Sequence, residues 1–247
     1  MTATPKLRKL HRYLGVLIGI QFLAWTVSGL YFSWTDIDDI HGDPQMRHPP
    51  HLPTSVDVVS PGVVLEALAK RETFDSVRSV ELVGMLGKPV YRANVYRELK
   101  LSTFLADAAT GELRPPLSRE EAEMVARWNY AGDADISKVE RIEATGKHHE
   151  YREQPLPAYA VHFDDAVGTR VYVAADLGAV RAFRNSPWRV FDFLWMLHTM
   201  DYEGRDNFNN LLLRAFSLFG LATVSSGFVL FFVTSPVFRR RRADCSK

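Results

Sequence analysis

Two uncharged apolar runs, one near each end of the chain, constrain this sequence more than any other feature. The first is Leu14 to Trp34, twenty-one residues, and the second is Ala215 to Val233, nineteen residues. At helical rise each makes roughly 30 Å, the thickness of a bilayer's hydrocarbon core. A single backbone segment crosses lipid only as a helix, whose amides bond to one another. The sequence therefore predicts an integral membrane protein with two spans, at 14–34 and 211–235, and a domain outside the membrane between them.

The flanks predict its orientation. Lys6, Arg8, Lys9 and Arg12 precede the first span, in a basic tail over 1–13. Arg239 to Arg242 and Lys247 follow the second, against Asp244 alone, in a tail over 236–247. Positive residues in short flanks stay cytoplasmic, so both tails point inward and the middle is extracytoplasmic. Residues 35–210 hold 20 Lys and Arg against 28 Asp and Glu. A translocated domain with that acidic balance argues against nucleic acid as a partner. The first run is long for a signal peptide's apolar core, and it exits through SWTDIDD rather than a small-residue cleavage site. This predicts an uncleaved anchor. The single Cys245 falls in the cytoplasmic tail, so no disulfide forms within the chain.

Between the spans, 35–59 reads as a polar, Pro- and His-rich linker. Ser60-Pro61 then caps a helix with Val64, Leu65 and Leu68 on its apolar stripe. Strand-like segments follow at 77–83, 89–96 and 101–107, with a turn at Thr110-Gly111. Ser118 with Glu121 is a capping box that opens a helix to about Tyr130. Strands at 136–144, 157–164 and 169–175 come next, with a turn at Leu177-Gly178. PVYRANVY matches LPAYAVHF, and TFLADAATGELR matches VYVAADLGAVR. This predicts a duplicated unit, one copy over 60–117 and one over 118–186, each a helix on an antiparallel sheet. The fold class is thus α+β with two flanking membrane helices. Pro187–Met200 is apolar but too short to span, and Trp188, Phe191, Leu194 and Trp195 recur at helical spacing. It reads as an interfacial helix within a connector over 187–210.

The opening LRKLHRYLGVLIGIQFLAWTVSGLYFSW, with its His-Arg-x-Leu-Gly start and its Ser-Gly near the outer end, resembles the first span of the PepSY-associated membrane protein family. The helix–strand repeats with their T-G-type turn resemble PepSY domains. LHTMDYEGRDNFNN, followed by a span with Ser225-Ser226-Gly227, is similar to the family's second membrane module. Larger members carry four spans where this chain has two. The resemblance implies a bacterial inner-membrane protein. It also implies one of three activities: haem-dependent reduction of ferric siderophores in the periplasm, a flavin-reductase-like role, or regulation of a protease by the PepSY domains.

His11, three residues before the first apolar run, and His198, at the outer interface, are the candidate axial ligands for a b-type haem. The alternative readings are a basic snorkelling residue for His11 and an amphipathic ring tip for His198. Placed on opposite sides of the hydrocarbon, the two cannot share one iron. Each haem then needs a second ligand, supplied by a homodimer or by a partner membrane subunit. Gly15 and Gly19 form a small-xxx-small pair that suits close helix approach. Alternatively, His41, His48 or His51 meets His198 within one chain. These three, with Asp36, Asp38, Asp39 and Asp43, also raise Zn or Cu binding, but their spacing fits no closed tetrahedral pattern and a solvated loop is the better reading. His148-His149 reads as a solvated turn, and His162 as a structural strand histidine. No G-x-S-x-G, H-E-x-x-H or phosphate-cradling loop is present. The expected function is transmembrane electron transfer to a ferric siderophore; the alternative is a non-enzymatic anchor whose outer repeats bind a protease or receptor component.

Overall fold

The computed structural model of the protein describes residues 3–235. Arg239–Arg242, Asp244, Cys245 and Lys247 lie outside the described residues. The chain divides into two compact units: a helical unit made by its two ends, up to Asp36 and from Val190, and a sheet unit of Ile37–Arg189.

In the helical unit, α1 runs Ala3–Trp34 and the C-terminal helix runs Leu211–Thr234. Both are long and apolar enough to cross a membrane. Their apolar side chains point outward; Ile20 is 79% exposed and Leu218 is 68% exposed. Such surface suits lipid and would be costly in water. α1 begins before the apolar run and includes Lys6 to Arg12. Lys, Leu and Arg are good helix formers and extend the helix beyond the apolar run.

In the sheet unit, the linker is shorter than the sequence suggests. α2 occupies Ile37–His41, a 3-10 turn covers Asp43–Gln45, and Met46 bridges to Tyr130. Asn185 donates to Asp39 O at 2.8 Å, which ties this segment down. Then α3 (Pro61–Ala69) begins at Ser60, whose side chain accepts the Gly62 N–H. It buries Val64 and Leu68 against one sheet: β1 (Ser76–Met85), β2 (Lys88–Arg97), β3 (Lys100–Asp107) and β4 (Leu113–Arg114), antiparallel and in sequential order.

The pattern repeats. α4 (Arg119–Asn129) starts at the Ser118–Glu121 capping box. It covers a second sequential antiparallel sheet: β5 (Ile136–Ile142), β6 (Ala158–Phe163), β7 (Arg170–Ala174) and β8 (Ala179–Arg184). Each repeat has four strands, not three; β4 has two residues and leaves no readable period. The first strand of each sheet carries a register shift near its start, at Val77/Ser79 and at Ile136/Lys138. The same irregularity at the same place supports duplication, since bulges are specific features of a strand.

The two repeats share one core. Met85, Val90 and Leu105 of the first pack with Val125, Tyr159, Val161 and Val173 of the second, and Leu117 joins them. The Leu117 N–H also bonds to Ala175 O at 3.0 Å. Gly178, at φ +61°, is the turn that makes the close approach, because a Cβ there would stand 2.8 Å from Met85 Sδ.

The far face of the second sheet is covered by the chain itself. The β5–β6 connection lays Tyr151 flat on Tyr172, ring centroids 4.7 Å apart. Glu150 accepts from Tyr172 Oη at 2.7 Å, Arg170 at 2.9 Å and Arg189 at 2.8 Å. Burial alone would raise the Glu150 pKa; the bonds from Arg189 and Tyr172 and the two arginine charges overcome it and hold it at about 2.

Candidate functional site

A helix, α5 (Ser186–Thr199), ends against α1, and α6 denotes the C-terminal helix Leu211–Thr234. The last carbonyls of a helix lack internal partners. Here α1 supplies them: Gln21 Nε2 donates to Leu197 O at 2.9 Å, and Trp25 Nε1 donates to His198 O at 2.8 Å. Asn210 caps α6 by accepting the Leu213 N–H at 2.7 Å, and its amide also donates to Thr199 O. In the connector, the buried Asp192 is paired with Arg205. Asp201 is held acidic: burial opposes the charge, but backbone N–H groups of Asn207, Gly204 and Glu203 outweigh it.

His198 is therefore a packed residue of the helical unit, not only a ring tip at an interface. Its ring lies among Phe32, Trp25 and Trp195, with centroids at 5.6, 6.5 and 6.4 Å. Phe32 also meets Phe191 at 4.8 Å. Trp188 leaves this stripe; its ring lies under the Arg184 guanidinium at 4.1 Å. Burial lowers the His198 pKa, which favours the neutral imidazole.

His198 Nδ1 lies 2.8 Å from Ser28 Oγ. His11 Nδ1 lies 2.7 Å from Ser226 Oγ. A serine hydroxyl has one hydrogen, and each serine oxygen has a second neighbour. Ser28 Oγ also lies 3.1 Å from Trp25 O, and Ser226 Oγ lies 2.7 Å from Thr223 O. A carbonyl only accepts, so the one arrangement that makes hydrogen bonds of both contacts has the serine donating to the carbonyl and accepting from the imidazole. That arrangement puts the histidine proton on Nδ1 and the lone pair on Nε2. It is a form in which histidine binds a metal.

The two positions are separate. Residues 11 and 28 of α1 are seventeen apart, roughly 25 Å along a helix. The sequence reading placed both histidines as candidates but missed the serines that orient them. Both serines belong to the Ser-Gly pairs that carry the family resemblance, Ser28-Gly29 and Ser226-Gly227, and Gly29 has open space around it. At Gly227 a Cβ would lie 3.3 Å from His11 Cε1. Beside it Val224, Gly227, Phe228 and Phe231 line an open apolar groove of about 440 Å³. Gly15 and Gly19 of α1 have open space around them.

The other histidines have ordinary places. His162 Nε2 pairs with Glu140 Oε2 at 2.9 Å. His149 Nδ1 accepts the Tyr151 N–H at 3.0 Å. His41 ends α2, and His48 and His51 are exposed in an extended segment. Among the described residues, no three His, Cys, Asp or Glu side chains converge as a metal site.

No curated protein and no solved structure matches the chain. A family model described as the PepSY-associated TM region matches residues 2–234. With its two membrane-length helices and its intervening pair of antiparallel sheets, the chain belongs to the PepSY-associated transmembrane family.

Proposed function

We propose that this protein is a haem-binding membrane electron carrier of the ferric-reductase kind, with one b-type haem site at His11 and another at His198. The observation that carries the reading is the pair of short His Nδ1–Ser Oγ contacts, 2.7 Å at His11 and 2.8 Å at His198, which turn Nε2 of each ring away from its serine. The surroundings fit a flat apolar group: the Gly227 groove adjoins His11, and three aromatic rings surround His198. Bound there, haem would supply one-electron iron chemistry. His11 and His198 would hold the iron through Nε2, with Ser226 and Ser28 orienting the rings. The same histidines of a second copy would complete each site, in a homodimer whose spans make a four-helix bundle.

In this reading the protein sits in a bacterial inner membrane with both termini cytoplasmic and the sheet unit periplasmic. One electron from a cytoplasmic-side donor converts one ferric ion, held as a siderophore complex outside, to ferrous. The test is the absorption spectrum of protein purified in detergent after expression with ample haem. A Soret band that shifts on reduction is expected. A colourless protein overturns the proposal.

A further inference from the structure

The second sheet has the face away from its helix covered by the chain, whereas part of the corresponding face of the first sheet is open. One side of β2 and β3 packs on α3, through Tyr91, Ala93, Val95 and Ala106. The other side carries a polar network. Asn94 Nδ2 donates to Ser79 Oγ at 2.9 Å, and Thr103 Oγ1 donates to Asn94 Oδ1 at 2.8 Å. Ser79 donates to Glu81 at 2.8 Å. Glu81, Asn94 and Thr103 floor a cavity of about 820 Å³, walled by Pro155, Leu156, Leu177 and Arg181 of the second repeat. That volume is in the range of ligand sites.

Its charge runs against the rest of the domain. Five cations line it, Arg78, Arg92, Lys100, Arg114 and Arg181, against two carboxylates, Glu81 and Asp176. Arg92 is committed to Leu177 O, at 2.8 Å from Nη2, and Arg114 to Glu121. Arg78, Lys100 and Arg181 are exposed and have no ion-pair partner among the described residues. Arg78 and Arg181 sit at register shifts, between Val77 and Ser79 in β1 and between Val180 and Ala182 in β8. An extra residue at a bulge re-aims a side chain, and here both line the cavity.

The duplication supplies an internal comparison. In the second repeat the corresponding face takes a carboxylate and a ring, Glu150 and Tyr151, from the long β5–β6 connection. In the first repeat β1 and β2 are joined by Leu86-Gly87 alone, with φ of 52° and 76°. That two-residue hairpin has nothing to lay across the sheet. Beside the cavity, β4 pairs only with Leu105 and Ala106, so the edge of β3 over residues 100–104 has no strand partner among the described residues.

We infer that this cavity binds an extended acidic peptide segment of a partner protein, with a carboxylate among Arg78, Lys100 and Arg181 and an apolar or aromatic side chain on the floor, as Glu150 and Tyr151 lie on the second sheet. The open edge of β3 offers backbone groups to the same segment. The inference does not depend on haem at the helix pair.

The test uses the full chain in detergent and a fluorophore-labelled peptide, acetyl-Glu-Glu-Tyr-Glu-Glu-amide. Saturable binding is expected, weakened by salt. Arg181→Glu, and Arg78→Glu with Lys100→Glu, should each weaken it about tenfold, the scale of one charge-assisted hydrogen bond. Arg78→Gln and Arg181→Gln carry the same test if a reversal lowers the melting temperature. Replacing the tyrosine by alanine should also weaken binding. Equal binding of the Lys-Lys-Tyr-Lys-Lys peptide, unchanged binding in the variants, full competition by citrate, or no binding overturns the inference.

Discussion

His11 on α1 and Ser226 on α6 are joined by a 2.7 Å hydrogen bond across 215 positions of sequence, and Ser226 Oγ also lies 2.7 Å from Thr223 O. Both contacts are hydrogen bonds together when the serine donates to the carbonyl and accepts from His11 Nδ1. His198 and Ser28 repeat the arrangement at the other end.

Ser226→Ala and Ser28→Ala remove these acceptors while leaving both histidines. Each should cost about 1 kcal/mol of stability, the net value of one such bond. Each should also lower haem retention at its own site only, measured by haem loss to apomyoglobin. Equal retention in both variants and the parent would remove the tautomer argument.

Gly227→Leu fills the space that His11 and the groove share, since even a Cβ would stand 3.3 Å from His11 Cε1. The expected result is loss of the His11 site with the His198 site intact. A full complement of haem in Gly227→Leu would place the ligand elsewhere.

Glu150 links stability to pH. Its carboxyl is held at about 2 in the folded protein, against an ordinary value of 4.5. The stabilisation is complete above the ordinary value and fades as pH falls from 4.5 towards 2. Glu150→Gln should cost roughly 2–3 kcal/mol near neutrality. Melting curves of the two proteins should converge over that acid interval; a gap independent of pH would contradict the assignment.

Gly178→Ala tests the shared core of the two repeats. It adds a methyl group 2.8 Å from Met85 Sδ and 3.1 Å from Leu105 Cδ1, at a backbone φ of +61°. Strain and crowding should cost about 1–3 kcal/mol. Thermal unfolding should then lower both repeats in one transition, whereas two separated transitions would show independent cores.

Much of this architecture is legible in the residues. The capping box at Ser118, the Ser60-Pro61 start and the period-2 strands are local signals, and each repeat's helix and first three strands follow from them. The two-residue β4 is too short to carry a period. The Ser–His bonds span 170 and 215 positions, so only the folded chain can pair them. Arg92 and Asn94 line a cavity whose other wall, Leu177 and Arg181, belongs to the other repeat, so no local pattern marks them. The bulges that turn Arg78 and Arg181 inward depend on register, which composition does not encode.

The most direct measurement is the haem-to-protein ratio of the purified chain, set beside His11→Ala, His198→Ala and the double variant. Two sites shared between two copies predict about one haem per chain in the parent, about half of that in each single variant and none in the double. An unchanged ratio in the double variant, or no haem in the parent, would contradict the account.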